Sequence, residues 1–509
     1  MASSARSSTL ASAPAVPTAV ANAIETAVAN ARATATANAI AAALALTVVL
    51  SAATDAAAAE ATHVLTAVEK ARPLPELGLS VSFERATRAA DITREWIQNA
   101  GTDSAFAADV RELRYKETVQ RLLIGMRVGL FRDLEFHATL PIVLQSDSKI
   151  TFAKNVEATS TIIGSANADA GCDVAECPAE LEYRYPITNV PAQRNRSGFG
   201  DMTLGLSWSP VVDDKDESYP TITFRGDIIV PTGATRRPAD PSALPGGGDG
   251  GIGLGQTTFD LSLGMSRRLR TKVPTFDPYV LLGVKLPVAT GTQKERGYEP
   301  PVSGRFVVGT EVIFYEEEAS SSLYGLDVAV GAEYIGVGRT YSELSDYLPN
   351  FDQTRLVDEN GDGREPAQYA DFANPSNYVS QRDGAICGIL SGVSCGELNR
   401  VDDHLNLTGS LALRFEPTRF TRLKMGVAVA LATNHLLTSE SVGKDADPAS
   451  ASTAQCEGTA CVGRVNPKNS EGNDERSPYY DPRYDAPGRR FRIEDALTFT
   501  FFATGAATF

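Results

Sequence analysis

The sequence predicts an all-β fold, a transmembrane antiparallel up-and-down β-barrel of about twelve strands with long outer loops. Three observations predict it. Stretches of roughly ten residues alternate apolar and polar side chains, the period of a strand with one greasy and one wet face. Their connections alternate between short polar turns and long polar loops, as in barrels with one tight rim and one elaborated rim. The last stretch, Leu497 to Phe509, also alternates and ends on an aromatic residue. That pattern suits the closing strand of a Gram-negative outer-membrane barrel, with Phe509 in the lower aromatic girdle and serving as the assembly signal.

Composition excludes the rival membrane class. The chain is 43% hydrophobic with a mean hydropathy of -0.14. After residue 53 no apolar run approaches the roughly 18 residues that a helix needs to cross hydrocarbon. Strand alternation halves the apolar count, so a barrel carries its lipid-facing band at an average polarity close to that of a soluble protein. A formal charge of -16 argues against nucleic acid as a partner. The partners expected are outer-membrane lipid, the barrel-assembly machinery and a small-molecule solute.

Along the chain, residues 1–59 read as a signal peptide with an extended N-terminal region. Ala39 to Leu50 is an apolar run of signal length, and Ala56 to Ala59 supply the small residues of a cleavage site. Only Arg6, Glu25 and Arg32 are charged before that run, so either the leading region is unusually long or translation starts later. Residues 60–76 form a short periplasmic segment, and residues 77–509 the barrel.

The strands follow in order. Leu77–Phe83 opens the barrel; Gln120–Leu130 and Leu134–Gln145 flank a turn at Phe131 to Asp133; Asp201–Ser209 and Thr221–Val230 flank an acidic turn. Thr258–Arg267 and Tyr279–Val288 come next, then Arg305–Tyr315 and Leu323–Val337 around Glu316 to Glu318. Leu405–Phe415 and Arg422–Leu431 turn at Glu416 to Thr418, and Arg492–Phe509 closes the set. An even count puts both termini at the periplasmic rim.

Parity assigns the faces. Leu134, Phe136, Ala138, Leu140, Ile142 and Leu144 share one side, and Glu135, His137, Thr139 and Gln145 the other. A charge on the lipid face costs about 2–4 kcal/mol at mid-bilayer, so the charged parity lines the lumen. The lumen then carries Arg121, Arg127, Arg225, Lys285, Arg305, Arg414 and Arg492 against Glu135, Asp227, Asp260, Glu311, Asp327, Glu333 and Glu494, with His137 and His404. Such a mixed lining rigidifies a narrow barrel, lines a conducting pore, or does both.

The stretch Gly198-Phe199-Gly200-Asp201, followed by Pro231-Thr232-Gly233 at the end of the next strand, resembles the outer-membrane barrel family named for the meta-pathway of phenol degradation. An echo occurs at Pro287-Val288-Ala289-Thr290-Gly291. The likeness covers roughly residues 198–290. It implies a transport-type barrel that admits small or hydrophobic organic compounds. The chain departs from that pattern in its long outer loops and its cysteines.

Those six cysteines fall as close pairs in three loops, which reads as the disulfides Cys172–Cys177, Cys387–Cys395 and Cys456–Cys461. No Cys-x-x-Cys occurs, which argues against redox chemistry and zinc. Asp358, Asn360 and Asp362 have the alternate spacing of a calcium loop, with Gly363 permitting the turn. The bidentate Glu of such a loop is replaced by Tyr369, so the stretch reads either as a calcium site or as a metal-free acidic turn. No other cofactor is expected. With only His63, His137, His404 and His435 available as bases and no Gly-x-Ser-x-Gly, the sequence does not predict an enzyme. Two functions remain: a passive channel or transport barrel for small, and on the family resemblance hydrophobic, organic solutes, and a structural or adhesive surface barrel with a plugged lumen and stapled loops.

Overall fold

A computed structural model of the chain describes residues 62–65, 76–98, 106–131, 133–156, 192–213, 219–236, 251–269, 274–295, 298–317, 322–347, 398–418, 420–438 and 490–509. The cysteine pairs, the Asp358 to Asp362 stretch and residues 1–59 lie outside these residues.

Twelve strands close into an antiparallel barrel: β1 (Leu77–Gln98), β2 (Phe106–Phe131), β3 (Leu134–Phe152), β5 (Met202–Val211), β6 (Thr221–Val230), β7 (Gln256–Ser266), β8 (Thr275–Ala289), β9 (Ser303–Glu317), β10 (Ser322–Ile335), β13 (His404–Thr418), β14 (Thr421–Ala432) and β16 (Phe491–Thr508). The seam forms between β16 and β1, in register from Gly78 opposite Thr508 to Arg94 opposite Phe491. At its lower end the Phe509 amide donates to the Leu77 carbonyl at 2.9 Å, and the Leu77 amide donates back to Phe509 at 3.2 Å. Closure leaves no barrel strand with an open edge, which is what a sheet needs in hydrocarbon.

Alternation puts the apolar parity outside. Leu79, Val81, Ile124, Met126, Leu206, Phe259, Leu261, Leu282, Phe306, Leu411 and Phe501 are all exposed. At the short-turn rim the band ends in aromatics: Trp208 stacks on Phe224 at 6.1 Å, Tyr324 lies between Tyr315 and Phe415, and Phe131, Phe420 and Phe509 are exposed. A water-soluble sheet could not leave a continuous belt of this kind uncovered. The molecule is a transmembrane β-barrel.

Four short strands extend the long-loop rim. β4 (Ala192–Phe199) pairs with the upper part of β3, while β11 (Gly338–Thr340), β12 (Asn399–Val401) and β15 (His435–Thr438) extend the sheet from β16. β1 and β2 also run far past the ends expected from sequence. In Arg85 to Asp91 the outward positions are no longer apolar, so no lipid-facing alternation marks the strand there.

Two register shifts correct the face assignments. Between Gln120 and Arg121 the β2–β3 pairing slips by one, so Gln145 faces out beside Gln120 and not into the lumen. In β16 a shift lies opposite Ala89 to Asp91, where Asp495 takes a φ of 50°. Above it Phe491 and Ile493 are the buried, inward residues, and Arg492 and Glu494 turn outward, opposite Thr93 and Asp91. One extra residue inverts parity from that point on.

Candidate functional site

The candidate site is the lumen, and the strands place there every parity-assigned residue below these shifts. The interior charges are matched. Arg127 makes a two-pronged contact with Glu135 at 2.8 Å for each bond, and Arg121 pairs with Glu84. Asp227 accepts from Arg225 at 2.9 Å and meets Nε2 of His137 at 2.6 Å. Gly205 makes room for that cluster, because a Cβ there would overlap both the carboxylate and the imidazole. Arg305 donates to Asp260 at 3.0 Å and Lys285 reaches Glu333 at 3.4 Å. Arg414 donates to both Glu311 oxygens at 2.8 and 2.9 Å and to Glu416 at 2.7 and 2.9 Å. Lys424 and the Tyr279 hydroxyl both donate to Asp327, at 3.0 and 3.2 Å. His404 stands higher, stacked on His435 with ring centroids 4.1 Å apart.

Among the described residues, two chain segments enter this lumen. At the short-turn end, Thr62 to Leu65 lie inside the barrel, whereas residues 60–76 were expected to be periplasmic. The polar wall satisfies their backbone: the Thr62 carbonyl accepts from Thr223 at 2.7 Å, the His63 carbonyl from Arg127 at 2.7 Å, and the Leu65 amide donates to Glu135 at 2.8 Å. At the long-loop end, Tyr341 to Tyr347 follow β11 and cross to the opposite wall. Leu344 is fully buried in a cluster with Ile92, Leu113, Tyr115, Ile150, Phe491 and Ile493. Glu343 pairs with Arg88 of β1, and Tyr347 reaches Ser148 of β3 at 3.1 Å. Asp346 receives Arg196 of β4 through two bonds at 2.6 and 2.8 Å, and Arg236 at 3.1 Å.

Burial alone would push the Asp346 carboxyl up, but Arg236 and Arg196 outweigh it and hold the group below the usual carboxylate range. Burial would raise Glu343 too, but Arg88 outweighs it and the carboxyl is lowered. His435 itself is lowered by burial and by its stacked neighbour His404. The mouth segment is therefore latched by ionised carboxylates beside a neutral imidazole at neutral pH. Sequence reasoning did not find this segment: Asp346 is 110 residues from Arg236 and 150 from Arg196, and nothing local marks the pairing.

Between the lower segment and the wall of β1, β2, β14 and β16 lies a cavity of about 190 Å³. Small residues open its wall, among them Gly78, Ser80, Ser82, Gly125, Thr504 and Ala506, beside larger ones such as Glu84, Arg127 and Lys424. The side of β8 to β10 is instead filled by Tyr279, Arg305, Glu311 and Asp327.

The residues that carry the family resemblance form a clamp at the outer rim. Asp201 accepts from the Gly233 amide at 3.1 Å and the Leu254 amide at 2.9 Å, tying two loops to the head of β5. Gly233 is required because a Cβ there would lie 2.6 Å from the Phe199 carbonyl oxygen. In the second copy of the motif Thr290 donates to the Gly255 carbonyl at 3.0 Å.

No family model matches the chain, and no curated protein matches it. Among solved structures it is similar to an outer-membrane channel from Pseudomonas putida F1, at 8% identity over 85% of this chain and 96% of that one, with a TM-score of 0.33. It is also similar to the outer-membrane protease OmpT of Escherichia coli (6% identity, 85% and 97%, TM-score 0.25) and to a FadL homologue of Pseudomonas aeruginosa (7%, 85% and 90%, TM-score 0.28). At these TM-scores none of the three carries a functional assignment.

Proposed function

We propose that the chain is a bacterial outer-membrane channel that passes small organic solutes passively, and that it is not an enzyme. The observation that carries this reading is the lane along β1, β2, β14 and β16, whose small side chains leave space inside the barrel. The resemblance to the phenol meta-pathway barrels supports the same class of function, and the exposed apolar belt with its aromatic rim supports the outer membrane as its location.

The mouth segment favours a second reading. A seal anchored by Arg88, Arg196 and Arg236 suits a structural or adhesive barrel with a plugged interior. Potassium release from proteoliposomes and solute entry into them separate the two. Release of potassium or entry of a small labelled solute above that of protein-free vesicles, with a folded barrel, is expected for the channel; a folded barrel with neither supports the plugged surface protein.

A further inference from the structure

The lane is chemically unlike the rest of the lumen. Its bordering charges are already committed: Glu84 to Arg121, Arg127 to Glu135, Arg422 to Glu416 and Lys424 to Asp327. Beside these paired charges and a few apolar side chains, the open space is lined by hydroxyls. Ser82 and Thr504 meet across the seam at 2.7 Å. Ser80 and Thr139 stand on either side of Gly125, where the missing side chain leaves a cradle: a Cβ there would overlap the Ser80 hydroxyl and lie 4.0 Å from that of Thr139.

A hydroxyl both donates and accepts, so this set exchanges hydrogen bonds with water or with a solute that carries hydroxyls of its own. An apolar solute would offer no hydrogen bond to Ser80 and Thr139, nor to the capacity that Ser82 and Thr504 keep beyond their mutual bond. An ion would lose hydration without gaining a free counter-charge, since the nearby charges are paired. Leu65 and Phe502 also line this space, and its volume of about 190 Å³ suits a small solute.

We propose that the lane selects small, uncharged, hydroxyl-bearing solutes of about tetritol size, held by Ser80, Ser82, Thr139 and Thr504 across the Gly125 cradle. This rests on the channel reading and sets the solute class apart from the hydrophobic compounds that the family resemblance implies.

The test is uptake of labelled erythritol, glycerate and benzenesulfonate into proteoliposomes holding the full-length protein, with potassium release measured on the same vesicles. Erythritol is expected to enter at least ~10-fold faster than benzenesulfonate, with glycerate between them. The double substitution Ser82→Ala with Thr504→Val should lower the ratio of erythritol to benzenesulfonate severalfold. Ala506→Leu, which leaves every hydroxyl in place, should slow erythritol by narrowing the lane; gel mobility before and after boiling identifies folded variants. Equal or faster benzenesulfonate entry in vesicles that release potassium would overturn the solute class alone, as would an unchanged ratio in the folded double variant. Vesicles that neither release potassium nor take up any solute would overturn the channel reading and this inference with it.

Discussion

Asp346 shows how much one residue contributes to the state of the lumen. Its carboxylate neutralises two arginines from different walls while being buried itself. Removing one partner of a buried ion pair costs about 3–5 kcal/mol, because the charge left behind has neither water nor counter-ion. Asp346→Asn is therefore expected to release the mouth segment, raising the fraction of time the channel is open and exposing residues 341–347 to protease. An unchanged open fraction and cleavage rate would show that the segment is held by Leu344 packing alone. The sign of the pH dependence follows from the shifts. Asp346 and Glu343 are lowered acids and His435 a lowered base, so each contributes to closure above its unfolded pKa and loses that contribution as pH falls through its folded pKa. Opening is expected to rise in acid, with His435 charging below its ordinary value of about 6.5 and the carboxylates following below about 4. Open fraction recorded from pH 7 downwards checks this; opening that rises toward alkaline pH would contradict it. Arg414, by contrast, is a poor target for tuning ion selectivity. Its ties to Glu311 and Glu416 make Arg414→Gln a destabilising change and not a selective one.

The closing strand is the element with the most direct test. The two backbone bonds between Phe509 and Leu77 fix the seam at its lower end, and the Phe509 side chain is exposed at the aromatic rim. Phe509→Asp is expected to lower the amount of assembled barrel in the outer membrane while export continues; wild-type levels of assembled barrel would contradict the role assigned to this residue. Element by element, the sequence predicted where lipid enforces a pattern. Thr221–Val230 matches β6 residue for residue, and each of the other predicted strands overlaps a barrel strand, because every second residue there must be apolar. Nothing enforces it above the membrane. The upper halves of β1 and β2 and the short strands β4, β11, β12 and β15 were missed for that reason. Gln145, Arg492 and Glu494 were misplaced because a bulge leaves no mark in the alternation except its reversal. The three cysteine pairs are expected to be crosslinked within each loop, which mass mapping of non-reduced protein checks; free thiols or crosslinks between loops would contradict local pairing.

At the scale of the whole molecule, closure removes the free strand edges of the barrel, and the two inward segments occupy its lumen from either end. A barrel without free edges in the membrane is expected to migrate differently on detergent gels before and after boiling, and identical migration would contradict closure. The parity-assigned lumen was legible because charges are costly on the lipid face. The cavity within it was not, since the open space results in part from Ser, Gly, Thr and Ala on strands brought together at the β16–β1 seam. Nor was the entry of Thr62 to Leu65, a short segment without periodicity whose partners are backbone-directed hydroxyls and charges. On the channel reading, a narrow aqueous path remains in a barrel occupied from both ends. Single-channel recording of the full-length protein in a planar lipid bilayer tests it most directly. Small, discrete conductance steps whose open fraction grows in acid are expected; a folded, inserted barrel that stays silent from neutral to acid pH would contradict an aqueous path.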